Sequence, residues 1–214
     1  VSAKRRIMIV GNGEIAEAAA KEIAAADLVV RFNDCRSVAL SGSRTDIVAV
    51  CNTGRPARAM LGSAEWRNSP PIAAASEIWS VRDPRKFAAL RAPLALSHPE
   101  LNDFCDDYTD QFTAFCNATR KRHVVIDQSV HESVDEALAA HEPGAYIVPS
   151  SGMVVIADLL LRYPDDDIAI TGFSHTGWDG HPFAAEKRLV DFYISLGRLR
   201  RIANKTPILS SQGA

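Results

Sequence analysis

The residues best suited to chemistry cluster in the last third of the chain. His181 stands in Gly180-His181-Pro182, on a glycine-containing loop able to approach a substrate, and Glu186 follows in a His-x4-Glu spacing. An imidazole with an ordinary pKa near ~6.5 is largely neutral at physiological pH and can accept a proton, which makes His181 a candidate general base. Glu186 falls early in the helix that Pro182 opens. There its charge suits the helix dipole and its carboxylate can brace the loop through backbone amides. Upstream, Pro149-Ser150-Ser151-Gly152 introduces an apolar helix. One serine is explained by N-capping, whereas two serines and a glycine at an amide-rich helix start also suit a phosphate or carboxylate. Near the other end of the chain, Gly11-Asn12-Gly13 follows an apolar run. Glycines there let backbone amides approach a phosphate, or simply satisfy a tight turn. Asn12 and Asn33 can bond a ribose or phosphate, or close turns, and Asn52 ends a later strand in a similar way. His98, His123, His131 and His141 carry no comparable context.

The elements that must position these groups alternate between strand and helix. Arg6 to Val10, Leu28 to Phe32, Asp46 to Cys51, Glu77 to Val81, Leu94 to Ser97, His123 to Asp127 and Ile168 to Thr171 read as strands. Helices are predicted over Glu14 to Ala26, Pro56 to Trp66, Leu101 to Ala118, Ser133 to His141, Gly152 to Tyr163 and Pro182 to about Ala203, with Ser69 to Ile72 as a loop. Such alternation implies an α/β, Rossmann-like, mainly parallel sheet with helices on both faces. Ligands of open α/β sheets bind beyond the carboxyl ends of the strands. Gly11 to Gly13, Asn33, Asn52, Ser150 to Gly152 and the loop from Gly172 to His181 all follow strands, so they share that edge. Asp165-Asp166-Asp167 precedes a strand and belongs to the opposite edge, as a solvated turn.

Composition narrows the function classes. The chain has 214 residues, 47% hydrophobic and 23% charged, with a formal net charge of −2. One domain over 1–214 is expected, with no general attraction for nucleic acid. Lys4-Arg5-Arg6, Arg120-Lys121-Arg122 and Arg198 to Arg201 read as solvated element ends. No apolar run approaches the ~20 residues of a membrane span. The four cysteines lack both CxxC spacing and the density of a disulfide scaffold, so reduced thiols and a cytoplasmic setting are expected.

Taken in order, several stretches resemble the animal-type sialyltransferase family. Val10-Gly11-Asn12 and Arg31-Phe32-Asn33 resemble the two ends of its long motif, and Gly42-Ser43-Arg44-Thr45 a run that often follows. Pro149-Ser150-Ser151-Gly152 resembles the start of its short motif, and His181 to Val190 its very short motif. The matching stretches cover under half of the chain. The family's long and short motifs each carry a cysteine that joins them, and those cysteines are absent here, which fits a short bacterial, cytoplasmic relative. The resemblance implies a sialyltransferase-like variant of the GT-A fold. It also implies inverting, metal-independent transfer of a sugar acid from a CMP-linked donor, such as CMP-sialic acid, to a glycan or small-molecule acceptor, with no further cofactor. His181 takes the place of the family's catalytic base, and His175 is a candidate donor to the leaving phosphate.

Two other classes fit the same residues. Gly11-Asn12-Gly13-Glu14-Ile15-Ala16 satisfies G-x-G-x-x-A, with Asp34 placed for a ribose, as in an NAD-binding Rossmann oxidoreductase. A catalytically inactive nucleotide-binding protein would keep the pocket without the transfer. No zinc spacing and no G-x-S-x-G elbow is present. Nothing in the sequence fixes the oligomeric state.

Overall fold

The computed structural model describes residues 4–15 and 17–202. In chain order the elements are β1 (Arg6–Val10), α1 (Ala19–Ala25), β2 (Leu28–Phe32), α2 (Val38–Ser41), β3 (Ile47–Val50), α3 (Gly54–Gly62), α4 (Ala64–Asn68), α5 (Pro70–Ala74) and β4 (Glu77–Ser80). They continue with α6 (Pro84–Ser97), α7 (Thr109–Thr119), β5 (Arg122–Val125), α8 (Gln128–Ala139), α9 (Ser151–Arg162), β6 (Asp167–Thr171), α10 (Phe183–Ser195) and β7 (Arg200–Arg201). Among the described residues the strands form one sheet in the order β5-β4-β3-β2-β1-β6-β7, and every pairing is parallel.

The strands are apolar almost throughout because the sheet is covered on both faces. Alternate residues go opposite ways: Ile7 and Ile9 pack with Phe32, Trp79 and the buried sides of α8, α9 and α10, while Met8 and Val10 pack with Ile23 of α1. Val48, Val50 and Ile78 meet Trp66 and Phe112 on that second face. Helix α9 is the central element of the first face, with Met153 to Leu160 all buried. The strand order runs outward from β1 through β2 on one side and turns to β6 on the other. The topological switch therefore lies between β1 and β6, and the crevice opens beyond their carboxyl ends.

Several predicted elements differ. Leu94 to Ser97 is not a strand but the end of α6, which runs through Pro93. The predicted helix over Pro56 to Trp66 is broken at Ser63 into α3 and α4, and Ser63 caps the second by accepting from the Trp66 amide. Ser69 to Ile72 contributes to a short helix, α5, rather than a loop. The helix predicted from Leu101 begins only at Thr109, and the one predicted from Glu14 only at Ala19. Helix α10 stops at Ser195, followed by Gly197 at φ +67° and then β7; its predicted end at Ala203 lies outside the described residues. Asp166 and Asp167 sit at the amino end of β6, bonded to Arg5 and Arg200. No helix among the described residues is long and apolar enough to cross a membrane. All four cysteines are buried and free.

Candidate functional site

At the β1–β6 switch the two strand ends press together. A Cβ on Gly11 would fall inside contact distance of the Gly172 carbonyl oxygen, one on Gly13 would lie 2.8 Å from it, and one on Gly172 would lie 2.7 Å from the Gly11 oxygen. Gly172 also has φ +74°. These positions are glycine because two backbones cross there. The amide of Gly11 donates to Thr171 O (2.9 Å) and that of Gly13 to Gly172 O (2.8 Å). Both glycines line the crevice, yet their N–H groups are bonded to the neighbouring strand end and are not free to meet a phosphate.

The asparagines divide. Asn12 donates from Nδ2 to Phe32 O (3.1 Å) and accepts from the Arg36 amide (3.0 Å), pinning the β2 turn to the β1 turn. Asn33, at φ +50°, accepts the Cys51 amide on Oδ1 (2.8 Å) and still lines the crevice. Asn52 is fully buried. Its side chain accepts the Arg82 amide (2.8 Å) and donates to Arg82 O (2.9 Å) and Thr109 Oγ1 (2.7 Å). It therefore lies behind the crevice as a strut, which differs from the substrate-binding place expected for it.

The serines divide too. Ser150 caps α9 by accepting the Met153 amide (3.2 Å), while its hydroxyl donates to Glu186 Oε2 (2.7 Å) and its amide to Glu186 Oε1 (2.6 Å). Glu186 is buried, which pushes its carboxyl up, and the two bonds from Ser150 pull it back toward the ionised form. Glu186 thus braces the start of α9. Ser151 and Gly152 are left with backbone amides that have no acceptor among the described residues, at the open end of a helix whose partial positive charge favours an anion. Gly152 also packs under Phe173, whose ring a Cβ would meet at 2.7 Å.

His181 is held from several sides. The amides of Ile147 (2.9 Å) and Val148 (3.3 Å) both donate to Gly180 O, and His181 Nδ1 in turn donates to Val148 O (2.8 Å). Because a carbonyl only accepts, the ring hydrogen is on Nδ1, and Nε2 carries the free lone pair. Nε2 has no hydrogen-bond partner among the described residues. Edge contacts with Trp178 (4.9 Å) and Phe183 (5.3 Å) fix the ring plane. Burial lowers the His181 pKa, the bond to Val148 opposes this, and the Arg82 cation lowers it further. The imidazole is neutral at physiological pH.

His175, at φ +51°, accepts on Nε2 from Arg201 (3.2 Å). Burial and then Arg201 push its pKa down to about 4, so it is neutral and its hydrogen is on Nδ1. It can donate a hydrogen bond from Nδ1 but does not carry a positive charge near neutral pH.

Two cavities of about 380 Å³ each meet at this point. The first is lined by the β1 turn, Ser150 to Met153 and the Gly172 to His181 loop; the second by Thr53, Gly54, Arg82, Phe104 and their neighbours. Asn33, Ser151, Trp178 and His181 line both. Sequence reasoning did not single out Trp178 or Arg82. Trp178 lay inside the loop already assigned to the ligand edge, and Arg82 follows β4, so the rule that ligands sit beyond strand ends applied to both.

The α/β sheet of this order, with its crevice at the switch, has a sialyltransferase-like fold. The chain matches the crystal structure of a mammalian sialyltransferase in complex with Gal-beta-1-3GalNAc-ortho-nitrophenol with a TM-score of 0.55 at 16% identity, covering 95% of this chain and 71% of that one. A second crystal structure of a mammalian sialyltransferase matches with a TM-score of 0.51 at 17% identity, over 94% and 70% of the two chains. At such identities the likeness is one of fold. In sequence, the chain is 55% identical over 200 residues to the urease operon 23 kDa accessory protein of Rhizobium meliloti (strain 1021), covering 92% of this chain and 93% of the relative. It belongs to the family of that protein. No family model matches.

Proposed function

We propose that the chain is one nucleotide-sugar-binding domain that transfers a sugar acid from a CMP-linked donor to an acceptor hydroxyl, by metal-independent single displacement with inversion. One observation carries this reading: His181, neutral and with Nε2 free, sits where two cavities meet, as a base between a donor and an acceptor must. The acceptor hydroxyl attacks the anomeric carbon as the bond to CMP breaks through an oxocarbenium-like state, and its proton passes to His181 Nε2. Val148 O holds the ring and stabilises the imidazolium that results. The departing phosphate meets the free amides of Ser151 and Gly152, with Nδ1–H of His175 as a further donor. Gly11 and Gly13 shape the pocket without donating to it. A cytoplasmic setting and a bacterial source go with this reading.

A second reading draws on the relative's name, which places that protein among the accessory products of a urease operon. On it the chain keeps the nucleotide pocket and serves urease without transferring sugar. The NAD alternative has less support. The amides of Gly11 and Gly13 are engaged, and Asp34, meant for the ribose, is paired with Arg36 (3.1 Å). Thermal shift with CMP, CDP, CTP and NAD separates the NAD reading from the other two: CMP stabilises the protein on both of those, and stabilisation by NAD alone overturns them. Release of CMP from CMP-sialic acid then separates a transferase from a binder.

A further inference from the structure

We propose that the second cavity seats the carboxylate or phosphate of an acidic acceptor molecule on Arg82. The acceptor role rests on the transferase reading above, whereas the anion seat rests on the cavity itself. Arg82 is 8% exposed. Its backbone is fixed on both sides by Asn52, and its guanidinium lies over the rings of Phe104 (4.4 Å) and Phe87 (4.8 Å). One N–H bonds Thr53 Oγ1; the other donors have no acceptor, and no carboxylate pairs with the group, among the described residues.

A buried guanidinium without a counter-charge is costly, because desolvation is not offset by pairing. The other deeply buried arginine shows the usual remedy: Arg31 donates to the carbonyls of Arg44 (3.0 Å) and Gly42 (2.7 Å). Arg82 instead lines an open cavity. Among the described residues the one acid in that lining, Asp103, is engaged by Arg55 (2.9 Å) and approached by Arg58 (3.9 Å), so the cavity is left with a net positive charge. A planar guanidinium with paired donors matches a carboxylate or phosphate group. Phe104 and Trp178, with ring centroids 5.3 Å apart, supply apolar faces for a sugar ring, and the cavity reaches His181. An acid group on Arg82 would tether an acceptor whose hydroxyl lies toward His181 Nε2.

The test is calorimetric titration of the intact chain with glucuronate, glucose 6-phosphate, glucose and inorganic phosphate, with and without CMP. The two acid sugars should bind roughly ten- to a hundredfold tighter than glucose, and glucose 6-phosphate tighter than inorganic phosphate. Arg82→Gln should remove the preference and Arg82→Lys retain part of it, with CMP affinity unchanged in both. Because Arg82→Gln also removes the guanidinium packed on Phe104, the Arg82 Nε–H resonance of the unaltered protein gives a second readout, shifting with the acid sugars and not with glucose. Equal binding of glucose, no binding of either acid sugar, or a preference that survives Arg82→Gln would overturn the seat. Inorganic phosphate binding as tightly as glucose 6-phosphate would overturn an acidic acceptor in favour of a free anion. Failure of CMP to bind while the acid sugars still do would remove the donor reading and leave the seat standing.

Discussion

The two walls of the crevice use their polar groups in opposite ways. On the wall formed by the β1 turn, the amides of Gly11 and Gly13 bond β6 and its following turn, and the Asn12 side chain bonds the β2 turn. On the wall formed by α9 and the Gly172 to His181 loop, Glu186 and Val148 hold Ser150 and His181 from behind, leaving the amides of Ser151 and Gly152 and Nε2 of His181 without partners among the described residues. A glycine-rich turn after a first strand is therefore architecture here. On the transferase reading, the chemistry falls to the wall whose supports are buried and whose front is open.

That contrast can be broken by substitution. His181→Gln should lower transfer about 10²- to 10⁴-fold while CMP binding persists, measured as CMP release against CMP affinity. In the unaltered protein the rate should fall on the acid side with a midpoint below the ordinary ~6.5, because burial lowers the His181 pKa and the base works only when unprotonated. Gly11→Ala acts on the other wall. The new methyl meets the Gly172 carbonyl, costing about 3 kcal/mol and lowering Tm by roughly 6–12 °C. Glu186→Gln places an amide against the two Ser150 donors and should cost about 1–3 kcal/mol in chemical denaturation. The serine pair gives the finest discrimination. Ser150→Ala removes both the cap and the hydroxyl bond to the buried Glu186 carboxylate and should cost about 1–3 kcal/mol. Ser151→Pro, which removes the amide held to meet the phosphate at a first helical position that tolerates proline, should leave stability within about 0.5 kcal/mol and weaken CMP roughly three- to tenfold.

The sheet was legible because strands buried on both faces read as continuous apolar runs, as in Ile7 to Val10 and Ile47 to Val50. Strand β7 was not, since Arg200–Arg201 is two charged residues held by pairing with β6 and has no apolar run of its own. Leu94 to Ser97, read as a strand, belongs instead to α6, which continues through Pro93 and buries Leu94. At the site, Asn33 and Asn52 look alike locally: each is an asparagine just beyond a strand. What separates them is Arg82 and Thr109, which are 30 and 57 residues from Asn52 and hold it inside. The division between Ser150 and Ser151 depends in the same way on Glu186, 36 residues on. Residue type and the sheet-edge rule located the crevice; long-range hydrogen bonds decided which of its groups remain free.

The most direct test is to follow backbone amide resonances during a CMP titration. Large saturable shifts at Ser151 and Gly152, with small ones at Gly11 and Gly13, are the predicted result. Shifts concentrated on Gly11 to Gly13, with Ser151 and Gly152 unmoved, would contradict it.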